Sequence, residues 1–245
     1  MIVLITGATD GLGRGLARAL DRVGHTVLVH GRSEQRIADT LAELGGEARA
    51  YQADLAELAQ VRRLADEVLE QEPQLDVLVN NAGIGGGDRR EESADGYELH
   101  FAVNYLAGFL LTRRLGGLPD RVVNVSSAGQ APIDFDDVML ERDYSGTQAY
   151  CQSKLAQIMF TFDLADDGAI ATCLHPATYM PTKMVSSPIS TLEEGIEATE
   201  RLVTAPADEV TGRYFNGLRE ARAHEQAYDA DARRRLRELS ERLTA

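Results

Sequence analysis

Tyr150-Cys151-Gln152-Ser153-Lys154 puts a phenol and a primary amine one helical turn apart in a chain that otherwise nearly avoids lysine. Of the 25 Lys and Arg residues, only Lys154 and Lys183 are lysine. Where a positive charge alone suffices, this chain uses arginine, so Lys154 stands out. An ammonium is a compact charge that fits beneath a ribose and changes its pKa, whereas a guanidinium is a planar fork that stays charged. With 8 Tyr in 245 residues, chance would place a lysine four positions after a tyrosine about 0.07 times.

If residues 148–165 are helical, positions i and i+4 share a face and both side chains point into one space. Leu155, Ile158, Met159 and Phe162 recur at helical spacing and supply an apolar face to fix that helix. A free phenol titrates near pH 10, and bringing it to neutrality takes about 4 kcal/mol of preference for the phenolate. One positive charge about 5 Å away supplies roughly 3 kcal/mol at an effective dielectric of 20, and an oxidised nicotinamide would supply more. Such a phenol can exchange a proton with an alcohol or carbonyl oxygen while a hydride moves on the adjoining carbon.

The elements needed to position that pair can be read along the chain. Residues 2–5 form an apolar run ending at Thr6-Gly7-Ala8-Thr9-Asp10-Gly11-Leu12-Gly13, after which Leu16, Ala17, Ala19 and Leu20 have helical spacing. This strand, glycine turn and helix would bring backbone N–H groups and a positive dipole end to a pyrophosphate. The spacing is Gly-x-x-x-Gly-x-Gly, which departs from the commoner Gly-x-Gly-x-x-Gly.

A second strand over 26–30 ends in Gly31-Arg32-Ser33, where NAD-preferring folds usually place an acid on the ribose 2′-hydroxyl. Gly31 removes the carboxylate, Arg32 suits a 2′-phosphate, and Ser33 is a good N-cap, so NADP(H) is expected over NAD(H). Residues 48–51 read as a third strand before Ala53-Asp54-Leu55. There Asp54 either caps the next helix or binds an adenine amino group.

A fourth strand, 75–79, leads into Asn80-Asn81-Ala82-Gly83, and Gly85-Gly86-Gly87 then reads as a mobile loop. A long helix over about 96–115 contains Asn104 among apolar neighbours, and a buried Asn needs partners. A fifth strand, 121–125, delivers Ser126-Ser127, and a sixth, 169–174, leads to His175-Pro176-Ala177-Thr178, with His175 read as structural. Residues 179–190 read as a loop over the site, 213–215 as a last short strand, and Leu236, Leu239 and Leu243 as a stripe packing a terminal helix on its own domain. Cys151, about 100° round the helix from Tyr150, is expected in the core.

A net charge of −14 argues against nucleic acid or an anionic membrane as the main partner. Residues 1–5 run directly into the glycine turn, so neither a leader nor a membrane span is expected, and two cysteines fit a reducing, cytoplasmic setting. Length and element count suit one domain over 1–245, and a homo-oligomer is left open.

Together, Thr6-Gly7-x-x-x-Gly11-x-Gly13, Asp54, Asn80-Asn81-Ala82-Gly83, Asn104, Ser127 and Tyr150-x-x-x-Lys154 resemble the short-chain dehydrogenase/reductase family, most closely its retinol dehydrogenase and WW-domain oxidoreductase branch. The resemblance implies a Rossmann-type, doubly wound α/β fold: a seven-stranded, mostly parallel sheet with helices on both faces. It implies Tyr150 as general acid/base, Lys154 lowering the phenol pKa and holding the nicotinamide ribose, Ser127 positioning the substrate oxygen, and Asn104 holding a water in a proton relay. The cofactor set it points to is Gly7, Asp10, Gly11, Leu12, Gly13, Arg32, Ser33, Asp54, Leu55, Asn81, Ala82, Gly83, Tyr150, Lys154, Pro176 and Thr178, with Thr182 an alternative to Thr178 at the carboxamide. Ser127 and Tyr150 are further apart than is usual in the family, so residues 131–144 are expected to form a flap beside the site. The expected activity is hydride transfer between NADP(H) and a small carbonyl or alcohol. The competing expectation is a non-catalytic NADP(H)-binding regulatory module, which would need the glycine turn but not the proton relay.

Overall fold

Apolar runs too short for helices, each closed by a turn residue, become the strands of one sheet. The computed structural model describes residues 1–182 and 187–245. The strands β1 (Ile2–Ile5), β2 (Thr26–Gly31), β3 (Arg49–Gln52), β4 (Leu75–Asn80), β5 (Pro119–Val125), β6 (Ile170–His175) and β7 (Tyr214–Asn216) are parallel, in the order β3-β2-β1-β4-β5-β6-β7. An eighth strand, β8 (Arg219–Ala221), adds an antiparallel edge to the expected seven. It forms because Gly217, at φ +58°, lets the chain fold straight back from β7.

Three-residue β8 has no alternating pattern to announce it. The strand order reverses at β1, which pairs with β2 on one side and β4 on the other. Such a switch opens a crevice at the carboxyl ends of those strands.

The helices are α1 (Gly11–Arg22), α2 (Glu34–Leu41), α3 (Leu58–Gln71), α4 (Ala107–Leu115), α5 (Gly146–Asp166), α6 (Leu192–Thr204), α7 (Ala207–Val210) and α8 (Ala230–Leu243). Alternation along the strands sorts them onto two faces. Val3, Ile5, Val27 and Val29 pack with α1 and α6, while Leu4, Leu28 and Leu78 pack under α3 and α4. A third cluster surrounds α5, whose residues are buried continuously from Gln152 to Leu164. The expected single apolar face on this helix is therefore an understatement. The sheet, Phe101, Tyr105 and α8 enclose it, with Leu236 buried and Leu239 and Leu243 packed beside it.

The expected long helix begins later than residue 96. Gly96 has φ +81° and Glu92 bridges to Glu98, so the chain becomes helical only at Leu99. It widens into a π-helix over Phe101–Leu106 before tightening into α4. The widened turn carries Asn104, and such turns recur at functional sites. Among the described residues, no helix is long and apolar enough to cross a membrane.

Candidate active site

The carboxyl ends of β4, β5 and β6 and the first turns of α5 bring the chemical groups together. Ser145 caps α5 by accepting from the Gln148 N–H at 3.4 Å. A buried amide chain pins α5 to the sheet: Asn80 Nδ2 donates to Asn124 Oδ1 at 2.9 Å, and Asn124 Nδ2 donates to Thr161 Oγ1 at 2.8 Å. So fixed, the helix places the Lys154 ammonium 5.7 Å from the centroid of the Tyr150 ring. Lys154 is buried and donates to the Val125 carbonyl at 2.9 Å and to Gln157 Oε1 at 2.9 Å. Both acceptors are neutral, and burial brings the amine down to about 7.

The phenol does not behave as the sequence suggests. Burial pushes Tyr150 above the ordinary phenol range, the Ser127 hydrogen bond pulls it down, and Cys151 pushes it up. An amine titrating at about 7 is only about half charged at neutrality, so Lys154 gives the phenol less than a full unit charge would. The expected depression of Tyr150 therefore does not come from this chain's groups alone.

Ser127 is buried at the end of the β5 edge, where its Oγ accepts from the Gly129 N–H at 3.0 Å. A Cβ on Gly129 would lie 3.2 Å from Cys151 Sγ, 3.5 Å from Ser127 Oγ and 3.9 Å from the Tyr150 ring. Cys151 is thus half-buried at the rim of the site and not in the core, because its turn of α5 faces the loop after Ser127. Asn104 finds its partners in the chain: Oδ1 accepts from the Ile84 N–H at 2.7 Å, and Nδ2 donates to the Ile84 carbonyl at 3.0 Å and to Ser153 Oγ at 2.9 Å. Its side chain therefore braces the segment after β4.

The glycine turn fits a dinucleotide. Gly7 has φ +66° and Gly11 φ +47°, and a Cβ on Gly13 would lie 2.3 Å from the Gly7 carbonyl oxygen. Asn81 holds the turn by donating to the Thr6 carbonyl at 2.8 Å, and Asp10 caps α1 at the Gly11 N–H. Leu12 and Leu55 are buried beneath this edge. A Cβ on Gly83 would meet Asn104 Oδ1 at 3.3 Å and Lys154 Nζ at 3.4 Å, so Ala82-Gly83 leaves the space above the amine open.

At the end of β2, Arg32 lies 3.6 Å from Asp54 and Arg36 lies 3.7 Å from Asp10, both guanidiniums exposed. Ser33 caps α2, as expected. Asp54 does not cap α3, whose N-cap is Glu57; instead it accepts from the Ala56 N–H at 3.0 Å.

Past β6, His175 shares a 3.0 Å hydrogen bond with Thr178, beyond Pro176. Burial and the nearby Lys154 both lower the His175 pKa. Thr182 lies against the glycine turn instead, and a Cβ on Gly11 would come within 3.2 Å of its methyl. The loop expected over 179–190 is described only in part: residues 183–186, including Lys183, lie outside the described residues. The flap at 131–144 is irregular, as expected, and buries Ile133, Val138 and Leu140. Among the described residues, no cluster of His, Cys, Asp and Glu could hold a metal ion.

Sequence reasoning missed His30. It accepts from the Gly7 N–H at Nδ1 (3.1 Å) and donates from Nε2 to the Ala53 carbonyl (3.1 Å), joining the phosphate turn to the end of β3. Gln157, the side-chain partner of Lys154, was also missed, although position i+3 on a helix could have indicated it.

The model of the short chain dehydrogenase family matches residues 1–189. Human retinol dehydrogenase 14 is 35% identical, over 98% of this chain and 84% of its own. A crystal structure of an uncharacterised protein from Mycobacterium paratuberculosis superposes with a TM-score of 0.84 at 32% identity, covering 99% of this chain and 92% of that one. An actinorhodin polyketide ketoreductase variant solved with NADPH gives a TM-score of 0.69 at 25% identity, covering 88% of this chain and 94% of that one.

Proposed function

The chain belongs to the short-chain dehydrogenase family, on its retinol dehydrogenase branch, and is an oxidoreductase; from that premise we propose that it moves a hydride between NADP(H) and a small carbonyl or alcohol. The observation that carries this reading is the meeting of Tyr150, Ser127 and Lys154 at one edge of the sheet, with the amine 5.7 Å from the phenol ring. The bound nicotinamide supplies the hydride.

Gly7, Gly11 and Gly13, with the start of α1, cradle the pyrophosphate. Arg32 and Arg36 sit where a ribose 2′-phosphate would need charge-assisted hydrogen bonds, and Gly31 offers no carboxylate to repel it. The NADPH-bound polyketide ketoreductase adds to the case for NADP(H). Lys154 holds the nicotinamide ribose, and Thr182, against Gly11, is better placed than Thr178 to face the cofactor.

Ser127 orients the substrate oxygen and Tyr150 gives it a proton during reduction or takes one during oxidation. Because burial raises the phenol, Tyr150 holds its proton at neutral pH, which suits a general acid and hence carbonyl reduction. The two free cysteines fit a reducing compartment, and we place the protein in the cytoplasm.

The test is a panel of aliphatic and aromatic aldehydes and ketones, following the loss of reduced-cofactor absorbance with NADPH and with NADH. Turnover with a higher kcat/KM for NADPH supports the reading. A clear preference for NADH, or cofactor binding without turnover of any carbonyl or alcohol, overturns the corresponding part.

A further inference from the structure

Glu98 and His100 lie just before the π-helix, and both are buried. Their side chains meet at 2.9 Å, Glu98 Oε1 to His100 Nδ1. The other ring nitrogen, Nε2, is 3.1 Å from the Gly86 carbonyl oxygen. Each ring nitrogen thus faces an oxygen, and the ring bridges the Glu98 carboxylate and the Gly86 carbonyl. Burial works against the Glu98 carboxylate, yet hydrogen bonds from His100 and from the Phe101 N–H hold it below the usual range, so it is ionised.

A third group reaches the pair from the flap. The Tyr144 hydroxyl lies 3.3 Å from Glu98 Oε1 and 3.4 Å from His100 Nδ1. Burial, the Glu98 charge and the Glu98 hydrogen bond push its pKa to about 12, with Arg90 lowering it and Glu91 raising it, so Tyr144 stays a neutral donor. Arg90 in turn donates to the Met139 carbonyl in the flap at 3.0 Å and pairs with Glu92.

The pair therefore sits where three segments around the crevice converge. The segment after β4 is fastened to the helix of Asn104 at two points: residue 84 by Asn104 and residue 86 by His100. It then runs against the start of the Tyr150 helix, where a Cβ on Gly146 would fall 1.7 Å from the Gly87 carbonyl oxygen. Little but glycine backbone forms this wall, so its position depends on those fastenings.

We infer that His100, paired with Glu98, is a positioning residue that holds the glycine loop 85–87 and the 131–144 flap together as the substrate side of the crevice. The kinetic consequence rests on the hydride-transfer reading above, but the structural one does not. Substrate KM should therefore depend on His100 while NADPH affinity should not, because the cradle of Gly7, Gly11 and Gly13 lies on the other side of the switch point.

The experiment compares wild type, His100→Gln and Tyr144→Phe by two readouts. The first is amide deuterium exchange of residues 84–87 and 131–144, which needs no substrate. Wild type should protect both segments. His100→Gln should be deprotected in both segments, and Tyr144→Phe should be deprotected in the flap alone. The second readout is the kinetics of the best carbonyl from the panel, with NADPH Kd measured by fluorescence. His100→Gln should raise KM about tenfold with Kd unchanged.

A His100→Gln protein with wild-type exchange overturns the inference. If His100→Gln does not fold, Tyr144→Phe decides, and unchanged flap exchange there overturns it. Absence of turnover in wild type, with the exchange pattern as expected, sinks the hydride-transfer reading and leaves this one standing.

Discussion

Acidification should destabilise the protein through His30 before most carboxylates titrate. In the folded chain the ring must be neutral, accepting from the Gly7 N–H and donating to the Ala53 carbonyl. Burial holds its pKa at about 4, against 6.5 when unfolded. As pH falls below 6.5 the unfolded chain takes up a proton that the folded chain refuses until about pH 4. The unfolded state therefore binds more protons in that window, and stability drops with pH. Each unit of pKa difference is worth 1.36 kcal/mol, so the loss approaches about 3 kcal/mol, with about 2 kcal/mol gone by pH 5.

The variant His30→Gln keeps a neutral acceptor and donor but has no proton to gain. Urea unfolding of both proteins at about pH 7.5, 6 and 5 gives the comparison, with the lowered His25 and His175 common to both and cancelling in the difference. Wild type should lose about 2 kcal/mol more than the variant between neutrality and pH 5. Parallel pH dependences would refute the argument, showing that the ring is protonated in place or that the turn yields without cost.

Three further outcomes follow from the site. Lys154→Met removes an amine 5.7 Å from the Tyr150 ring that is about half charged at neutrality; about half of the roughly 3 kcal/mol a full charge gives at an effective dielectric of 20 predicts a kcat loss of roughly tenfold. The pH–rate profile should also move to the alkaline side, and unchanged kinetics would exclude any charge role. Arg32→Ala should weaken NADPH binding about tenfold and leave NADH binding nearly unchanged, read by fluorescence titration; equal effects on both would remove Arg32 from the phosphate site. Gly13→Ala drives a Cβ to 2.3 Å from the Gly7 carbonyl oxygen, a clash expected to cost about 1–3 kcal/mol and several degrees of Tm, and to abolish cofactor binding. A variant that binds NADPH like wild type would show that the turn relaxes freely.

The features legible in the sequence were those with a local cause. The glycine turn, the i,i+4 phenol and amine and the apolar runs of β1, β2 and β4 each depend on neighbours within a few positions, and all lie where expected. What escaped depends on contacts across the chain. His30 meets Gly7 across 23 positions, Tyr144 meets Glu98 across 46, and no periodicity signals either pair. The π-helix escaped because it has the same apolar spacing as an ordinary helix start. The misjudged Tyr150 has a similar origin: sequence gives the distance between charges, but burial decides how much of the Lys154 charge exists at neutral pH.

The central claim is that Tyr150 exchanges the proton while the hydride moves. Tyr150→Phe removes one oxygen from a ring whose packing against Gly129 and Lys154 is otherwise kept. Turnover of the best carbonyl should then fall by at least about a thousandfold, while the NADPH Kd measured by fluorescence stays within about twofold of wild type. Equal turnover in the two proteins would contradict the account and leave only a module that binds its cofactor.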